Sequence, residues 1–290
     1  MKNAIIVEYV KDDNMSDKLE LKEIERSIIK KYRKKLFRPF VKAINDYELV
    51  KENDKIAVCL SGGKDSILLA KLFQELQRHN KLNFELEFIA MDPGFHQENR
   101  AVIIENCHHL EIPVKIFDSN IFGVVDKVSS EFPCYLCARM RRGALYSYAK
   151  ELGCNKIALG HHFDDVIETT LMNVFYAGTF KTMVPKLRAQ NYENMELIRP
   201  MILIREQDII TYTNNTGLKV MDCGCVVAAG KIASTRAEIK QLIKDYKKVF
   251  NDVDKSIFSA SCNVNLDAII GYSRDGIKHS YLEDYEKGDD

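Results

Sequence analysis

The chain has 290 residues, and 42 basic side chains balance 42 acidic ones, so its formal net charge is zero. A chain of this length can bury a core without disulfides, and the balanced charge excludes a uniformly basic surface, so a nucleic-acid partner must contact a local patch. No stretch approaches the roughly 20 apolar residues that span a membrane, and the N-terminus lacks the pattern of a signal peptide. We therefore expect a soluble, cytoplasmic protein with no membrane partner.

The N-terminal segment, residues 1–50, is predicted to contain a basic helix. Residues 1–20 carry charges without periodicity, and a helical pattern with one apolar stripe begins at Leu21. The other face is basic, with no acidic residue in 26–42. Pro39 should kink or end this helix, because proline cannot donate the helical hydrogen bond. Such a face is usually a solvated surface, and nucleic-acid binding is the alternative.

A phosphate-binding loop is predicted where the apolar run 56–60 ends and a helical pattern begins. Two adjacent glycines let the backbone approach an anion, and the amides of the helix N-terminus face the charge. The spacing differs from G-x-x-x-x-G-K-[ST], so a different phosphate chemistry is indicated. An ordinary glycine turn with a helix cap is the alternative. The loop consists of Ser61, Gly62, Gly63, Lys64, Asp65 and Ser66.

Strand and helix patterns then alternate. This alternation predicts an α/β fold, a parallel sheet with helices on both faces, flanked by the N-terminal helix and a C-terminal helical extension. Ligands bind beyond the carboxyl ends of such strands, so Asp92 and the loop 160–165 should join the phosphate loop in a nucleotide site. After the first strand, the predicted strands are 84–91, 114–116 and 156–159, and the predicted helices are 68–76, 99–110, 137–152, 166–176 and 235–250.

Eight cysteines in a cytosolic chain are more often ligands, catalysts or buried thiols than disulfides. Cys134 and Cys137 form a C-x-x-C pair, and Cys223 and Cys225 follow much later. This set is compatible with structural zinc and with an iron–sulfur cluster held by three cysteines with one open iron, and spacing alone leaves both open. The remaining cysteines lie in apolar or helical contexts and are predicted to be buried thiols: Cys59, Cys107, Cys154 and Cys262.

Residues 61–66 resemble the SGGxDS signature of the PP-loop ATP pyrophosphatases, which cleave ATP between its α and β phosphates and adenylate an oxygen. The chain more specifically resembles the tRNA 2-thiocytidine synthetases, in one colinear run over about residues 45–265. The motifs that carry this resemblance are Cys134-x-x-Cys137 followed by Arg139-Met140-Arg141-Arg142-Gly143, then Gly160-His161-His162-x-Asp164-Asp165, Asn173-x-Phe175-Tyr176-x-Gly178, Ile198-Arg199-Pro200 and Glu206-x-Asp208-Ile209.

The resemblance implies a [4Fe-4S] cluster on Cys134, Cys137 and Cys223. The chain departs from the family in one place, because the distal family motif is a second C-x-x-C and this chain has Cys223-Gly224-Cys225. Cys223 falls on the ligating cysteine of that motif, and Cys225 is the less favoured third ligand. The resemblance also implies a tRNA substrate, a homodimer, and a sulfur donor that is sulfide or a persulfide from a cysteine desulfurase.

The implied reaction adenylates the C2 oxygen of an anticodon-loop cytidine, position 32 by resemblance, and sulfide from the open iron then displaces AMP. Lys64 would neutralise phosphate charge, and Asp65 with Asp164 or Asp165 would hold Mg²⁺. Arg141 is a further catalytic candidate, able to bind substrate phosphate or stabilise the sulfurs. ATP would contact the loop 61–66, Asp92, Gly160 and His161.

Other side chains have two readings each. His161 and His162 could orient the ligand or make structural hydrogen bonds that close their loop. Lys181, Lys186 and Arg188 could contact the RNA backbone or be solvated.

We expect residues 51–205 to form the ATP pyrophosphatase domain and 206–290 a C-terminal helical region that supplies the third cluster cysteine. Two other functions remain open. One is a PP-loop tRNA-modifying ligase or uridine 2-thiolase with structural zinc, and the other is a non-enzymatic, cluster-bearing RNA-binding or redox-sensing protein.

Overall fold

The computed structural model describes residues 5–6, 18–79, 82–93, 97–119, 121, 133–221 and 231–285; the side chains of 5–6, 97, 133–138, 231–234 and 284 lie outside this description. The strands are β1 (Ile5–Ile6), β2 (Lys55–Leu60), β3 (Glu85–Asp92), β4 (Val114–Asp118), β5 (Lys156–Ala158), β6 (Lys186–Arg188), β7 (Glu196–Ile198), β8 (Gly271–Arg274) and β9 (Ile277–Ser280). The α-helices are α1 (Leu21–Ile29), α2 (Arg38–Asp46), α3 (Lys64–His79), α4 (Gln97–His109), α5 (Pro133–Glu151), α6 (Phe163–Ala177), α7 (Glu206–Thr216), α8 (Lys231–Tyr246), α9 (Val253–Cys262) and α10 (Leu282–Tyr285).

Within these ranges, seven strands form one sheet in the order β1-β4-β3-β2-β5-β7-β6. The five inner strands are parallel, and the edge strands β1 and β6 pair antiparallel with β4 and β7. The predicted α/β fold is therefore confirmed. The carboxyl ends of β2, β3 and β5 lie at the same edge of the sheet, where the predicted nucleotide site follows them.

Alternating residues of β2 send apolar side chains to both faces of the sheet. Ile56, Val58 and Leu60 join a core that includes α3, α4 and α7, while Ala57 and Cys59 join a second core under α5. Because both faces are covered, the strand reads as a continuous apolar run rather than an alternating one.

The basic N-terminal helix is interrupted before its proline. α1 ends at Ile29, a π-helical segment covers Arg33–Phe37, and α2 then begins with Pro39 in its first turn. A proline is tolerated there because the first helical amides have no intrahelical acceptor. The apolar stripe is fully buried at Ile24 and Leu36, in the same core as the sheet.

The C-terminal part of the described chain contains elements that the sequence patterns did not predict. α7 packs beside α3, and β8 and β9 form a separate two-stranded hairpin. The prediction for Cys262 is wrong: this side chain is exposed, because it lies at the end of α9. None of the helices in the described ranges has the length and apolar character needed to cross a bilayer.

Candidate active site

The phosphate loop is closed by the hydroxyl of Ser66. The amide and the hydroxyl of Ser61 donate to Ser66 Oγ over 3.1 and 3.2 Å, and Ser66 Oγ donates to the carbonyl of Gly63 over 2.9 Å. Ser66 itself is buried. These bonds fix the turn between β2 and α3, so Ser66 has a structural task in the loop in addition to its predicted contact with phosphate.

Two glycines of the site have no room for a side chain. Gly62 has φ +82°, and a Cβ there would lie 2.5 Å from Met221 Sδ and 2.8 Å from Ile103 Cγ1. At Gly160, a Cβ would lie 3.1 Å from the carbonyl carbon of Asp65. The loop after β5 therefore rests directly on the start of α3, and the two predicted ATP-binding loops are in contact.

Lys64 lies between two carboxylates. Its Nζ is 3.2 Å from Asp65 Oδ2 and 3.3 Å from Glu206 Oε1. Burial lowers the pKa of Lys64, but the charges of Asp65 and Glu206 outweigh it and the net pKa is raised. The lysine therefore remains a cation at the mouth of the loop, as its predicted role requires.

Asp65 has one oxygen without a partner. Its Oδ1 is buried and accepts no hydrogen bond from the described residues, and His162 Nε2 is 3.9 Å away. Burial raises the pKa of Asp65, and the nearby cations only partly compensate. A buried carboxylate oxygen without a hydrogen-bond partner can coordinate a cation.

The loop after β5 is held by a reciprocal cap at the start of α6. The amide of Asp165 donates to His162 Nδ1 over 3.3 Å, and the amide of His162 donates to Asp165 Oδ2 over 2.9 Å. His162 therefore has the structural role among its two readings. Burial raises the pKa of Asp165, but interactions with His162, including the bond from its backbone amide, and the charge of Arg236 outweigh it, so the net pKa is lowered and the side chain is an anion.

His161 is placed differently from its neighbour. Its Nδ1 is buried without a partner among the described residues, and burial lowers its pKa to about 4. The ring is thus neutral at physiological pH, with one nitrogen available to a ligand.

Asp164 and Asp92 are already engaged by protein groups. Asp164 Oδ2 accepts from the amide of Glu206 over 2.7 Å, at the start of α7, and Asp92 Oδ2 accepts from Arg100 over 2.9 Å. In the part of the chain that the structure describes, no three His, Cys, Asp or Glu side chains converge as a preformed metal site. Asp65, Asp164 and Asp165 are neighbours, but only Asp65 offers an unpartnered buried oxygen.

Sequence reasoning missed the cations that α8 brings to the site. Arg236 donates to Asp165 Oδ1 over 2.7 Å and lies 3.6 Å from Glu168 Oε2, and Lys240 pairs with Glu206. Burial raises the pKa of Glu168 to about 7. Arg236 lies 71 residues from Asp165 in the chain. No local pattern in the sequence indicates that pairing.

The predicted cluster ligands are only partly within the described chain. Cys134 and Cys137 lie one helical turn apart at the start of α5, and Cys223 and Cys225 lie outside the described residues. The amide of Met221, two residues before Cys223 in the sequence, donates to the carbonyl of Gly62 over 3.0 Å. Cys59, Cys107 and Cys154 are buried as predicted, and burial raises the pKa of each thiol.

The predicted substrate- and RNA-contacting side chains differ in their exposure. Arg141 is half-buried on α5, and Lys181 and Arg188 are exposed. Lys186 makes a hydrogen bond within the protein: its Nζ donates to the carbonyl of Glu48 over 2.9 Å.

Comparison with known proteins gives the site a context. A family model described as a PP-loop domain matches residues 27–222. The chain is 38% identical over 250 residues to the tRNA-cytidine(32) 2-sulfurtransferase of Vibrio cholerae serotype O1 (strain M66-2), an alignment covering 84% of this chain and 79% of that protein. It is 36% identical to the protein of the same name from Alcanivorax borkumensis, over 86% of this chain and 87% of the relative.

A solved structure is also similar. The U34-tRNA thiolase NcsA from Methanococcus maripaludis, determined with its [4Fe-4S] cluster, superposes with a TM-score of 0.63 at 25% sequence identity. The superposition covers 88% of this chain and 81% of that one.

Proposed function

The chain belongs to the PP-loop family and, within it, to the tRNA 2-thiocytidine synthetases, and from this premise we propose that it replaces the C2 oxygen of cytidine 32 in a tRNA anticodon loop by sulfur. The observation that carries the proposal is the 36% to 39% identity to tRNA-cytidine(32) 2-sulfurtransferases over most of the chain. As a member of this family the chain is an enzyme, a sulfurtransferase. The reaction would convert ATP to AMP and pyrophosphate.

The phosphate loop supports activation of the C2 oxygen. The amides at the start of α3 would face bound phosphates, and the Lys64 cation lowers the cost of bringing an anion there. We propose that the C2 oxygen attacks the α phosphorus, which forms the C2–O–P linkage while the bond to the β-phosphate oxygen breaks. Arg141 would then stabilise negative charge on the substrate side.

The remaining nucleotide contacts follow from the loops at the same sheet edge. We propose that His161, which is neutral and has an unpartnered Nδ1, accepts a hydrogen bond from the bound nucleotide. Gly160 lets the two loops touch, and Asp92, held by Arg100, would line the site.

One feature of the site suits magnesium. Asp65 Oδ1 is a buried oxygen without a partner in the described chain, and such an oxygen is a ligand for a hard cation. We propose that Asp65, with Asp164 or Asp165, would hold Mg²⁺ beside the triphosphate. The ion would offset the repulsion between these carboxylates and the phosphates.

A [4Fe-4S] cluster fits the donor set. Cys134 and Cys137 are three residues apart in the first turns of α5, and residues at this spacing are neighbours on a helix. Cys223 follows Met221, which is hydrogen-bonded to that loop, by two residues in the sequence. We propose Cys134, Cys137 and Cys223 as ligands, with Cys225 the less favoured third. When bound, the cluster would supply a place to hold sulfur for transfer.

The test is thiolation with purified components. Protein purified without oxygen is incubated with tRNA, ATP, Mg²⁺ and sulfide, and the tRNA nucleosides are measured by mass spectrometry alongside pyrophosphate. We expect 2-thiocytidine together with pyrophosphate. Pyrophosphate with a nitrogen-containing product and one zinc per chain would identify a ligase, and no pyrophosphate at all would identify a non-enzymatic protein; either result overturns the proposal.

Uridine thiolation is a second candidate, because the similar solved structure is a U34-tRNA thiolase. The same nucleoside analysis separates the two targets. 2-Thiouridine in place of 2-thiocytidine would favour the second candidate.

The partners of the reaction are proposed with it. Sulfide, or a persulfide from a cysteine desulfurase, would be the sulfur donor, and the cytoplasm would be the compartment. A homodimer is supported by exposed aromatic side chains at and after the end of α6, Phe175, Tyr176 and Phe180. Light scattering coupled to size exclusion would give the mass, and a monomer at micromolar concentration would contradict this part.

A further inference from the structure

A cleft of about 820 Å³ opens between α5 and the hairpin formed by β6 and β7. Among the described residues, the charged side chains that line it are Arg139, Arg142 and Arg188, and none of the lining side chains is acidic. It lies on the face of the sheet that α5 covers, opposite the face that α3 covers. The sequence indicated Arg188 as a possible RNA contact and gave Arg139 and Arg142 within the motif that follows Cys137, and the fold brings all three to one cleft.

The wall of the cleft is a fixed arrangement of tyrosines. The rings of Tyr146 and Tyr192 stack with centroids 5.0 Å apart and an interplanar angle of 15°. The hydroxyl of Tyr192 donates to the carbonyl of Gly143 over 3.0 Å and lies 3.0 Å from the hydroxyl of Ser147. These contacts join the hairpin loop to α5, so the arginines on the two elements keep a fixed spacing.

The cleft arginines have no counter-ion among the side chains that the structure describes. No carboxylate among the described side chains is within salt-bridge distance of Arg139, Arg142 or Arg188, whereas Arg78, Arg100 and Arg205 all pair with acidic residues: Glu25 and Glu75, Asp92 and Asp118, and Asp254, respectively. In a chain with zero net charge, three unpaired guanidinium groups around one cleft indicate that the anion comes from outside.

Arg199 adds a second, independent observation. Its Nε is buried and has no partner among the described residues. Burial and the nearby charge of Arg142 lower the pKa of Arg199, so these two cations repel each other. An anion bound beside Arg142 would relieve this repulsion.

The position of the cleft relates it to the predicted cluster. Arg139 and Arg142 lie two and five residues beyond Cys137 on α5, so they extend roughly 3 to 8 Å along the helix from it at about 1.5 Å per residue. A polyanion lying in the cleft would therefore end near the sulfur-transfer site. A guanidinium fork matches the paired oxygens of a phosphodiester.

We propose that the cleft formed by Arg139, Arg142 and Arg188 binds the sugar–phosphate backbone of the tRNA substrate and so directs the target nucleotide toward the start of α5. The inference rests on the proposed function. It assigns the RNA contact to this cleft and not to the basic face of α1.

The experiment measures tRNA affinity as a function of salt, by fluorescence anisotropy, for the wild-type protein and the triple variant Arg139→Ala, Arg142→Ala, Arg188→Ala. Each lost phosphate contact should reduce the slope of log K against log salt by about 1 and weaken binding roughly tenfold. The matched control is the double variant Arg274→Ala, Lys278→Ala, which removes exposed cations of β8 and β9. A triple variant with Lys at the three positions keeps the charge and should retain most of the slope.

Two results would overturn the proposal. One is an alanine triple variant with the affinity and slope of the control. The other is a cleft that binds free pyrophosphate, lost in the triple variant, while tRNA binding is unchanged. A tRNA with uridine at position 32 separates this inference from the proposed function: backbone binding in the cleft should persist even though no 2-thiocytidine can form. Loss of thiolation in the wild-type protein, with cleft-dependent binding intact, would contradict only the proposed function.

Discussion

Asp65 combines an unpartnered buried oxygen with a raised pKa, and this combination predicts opposite effects on activity and stability. Asp65→Asn should reduce pyrophosphate release at least about 100-fold, because the cation and phosphate contacts lose their charge. It should not lower the melting temperature at pH 7, because the folded protein disfavours the ionised form of this carboxyl. Melting curves and pyrophosphate assays test both points.

The control for Asp65→Asn is Asp245→Asn, which removes a surface carboxylate paired with Lys248. It should leave pyrophosphate release unchanged. A large loss of melting temperature in Asp65→Asn would show that the side chain serves the fold, which is contrary to the prediction.

Glu168 should make the stability of the folded protein depend on pH. Its pKa is raised from 4.5 to about 7 by burial, so between these values it is protonated in the folded chain and ionised in the unfolded chain. Stability should therefore fall as pH rises through this window and level off above it, by at most about 3 kcal/mol. Thermal melts of wild type and Glu168→Gln from pH 5 to 8 measure this, and parallel curves would contradict it.

Gly62 allows the steric contact and the backbone strain to be separated. Gly62→Ala should destabilise the protein by about 1–3 kcal/mol, from positive φ together with overlap with Met221 and Ile103. Gly276→Ala is the matched control, because its φ is +81° and nothing lies within 4 Å of the added Cβ. A loss of ATP affinity, measured by calorimetry, should accompany only the first variant.

At the scale of elements, α8 connects the site to the C-terminal part of the chain through Arg236. Arg236→Ala should reduce thiolation at least about tenfold, because Asp165 Oδ1 loses its cationic partner and α8 loses one of its contacts with α6. Measuring pyrophosphate and thionucleoside in the same reaction shows which step suffers. Lys244→Ala, an exposed cation of the same helix, is the control.

The elements also show how far sequence patterns reach. The alternation of strands and helices and the loop at 61–66 could be predicted because their signals are local. β6 and β7 have three residues each, too short for a periodic pattern, and β6 is recognisable only by its pairing with β7. The contact of Arg236 with Asp165 joins positions distant in sequence, and the role of His162 as a cap depends on the loop conformation. None of these has a local signal.

At the scale of the whole molecule, the ATP site and the cluster ligands should be separable. Cys134→Ala and Cys137→Ala should abolish thiolation and the iron content of the protein, yet keep ATP binding, because the contacts that close the phosphate loop involve no cysteine. Cys223→Ala should match them, and Cys225→Ala should retain iron. Cys262→Ala, which removes an exposed thiol, is the control.

The chain's organisation can be stated at the same scale. We keep the division at residues 50 and 205 as a proposal about the order of segments. The side chain of Ile24, which precedes the first boundary, and that of Ile209, which follows the second, are buried in one core with β2. Because the net charge of the chain is zero, the three cleft arginines are a local excess of positive charge.

The hydrogen bond from Met221 to Gly62 has a thermodynamic consequence. Any displacement of Gly62 when nucleotide binds must be accommodated at Met221, and the chain from there leads to Cys223. If ATP changes the affinity of Cys223 for the cluster by some factor, the cluster must change the affinity of the protein for ATP by the same factor, because the free energies of the binding cycle sum to zero. The ratio of nucleotide affinities measured with and without iron therefore gives the coupling free energy between the nucleotide site and the cluster.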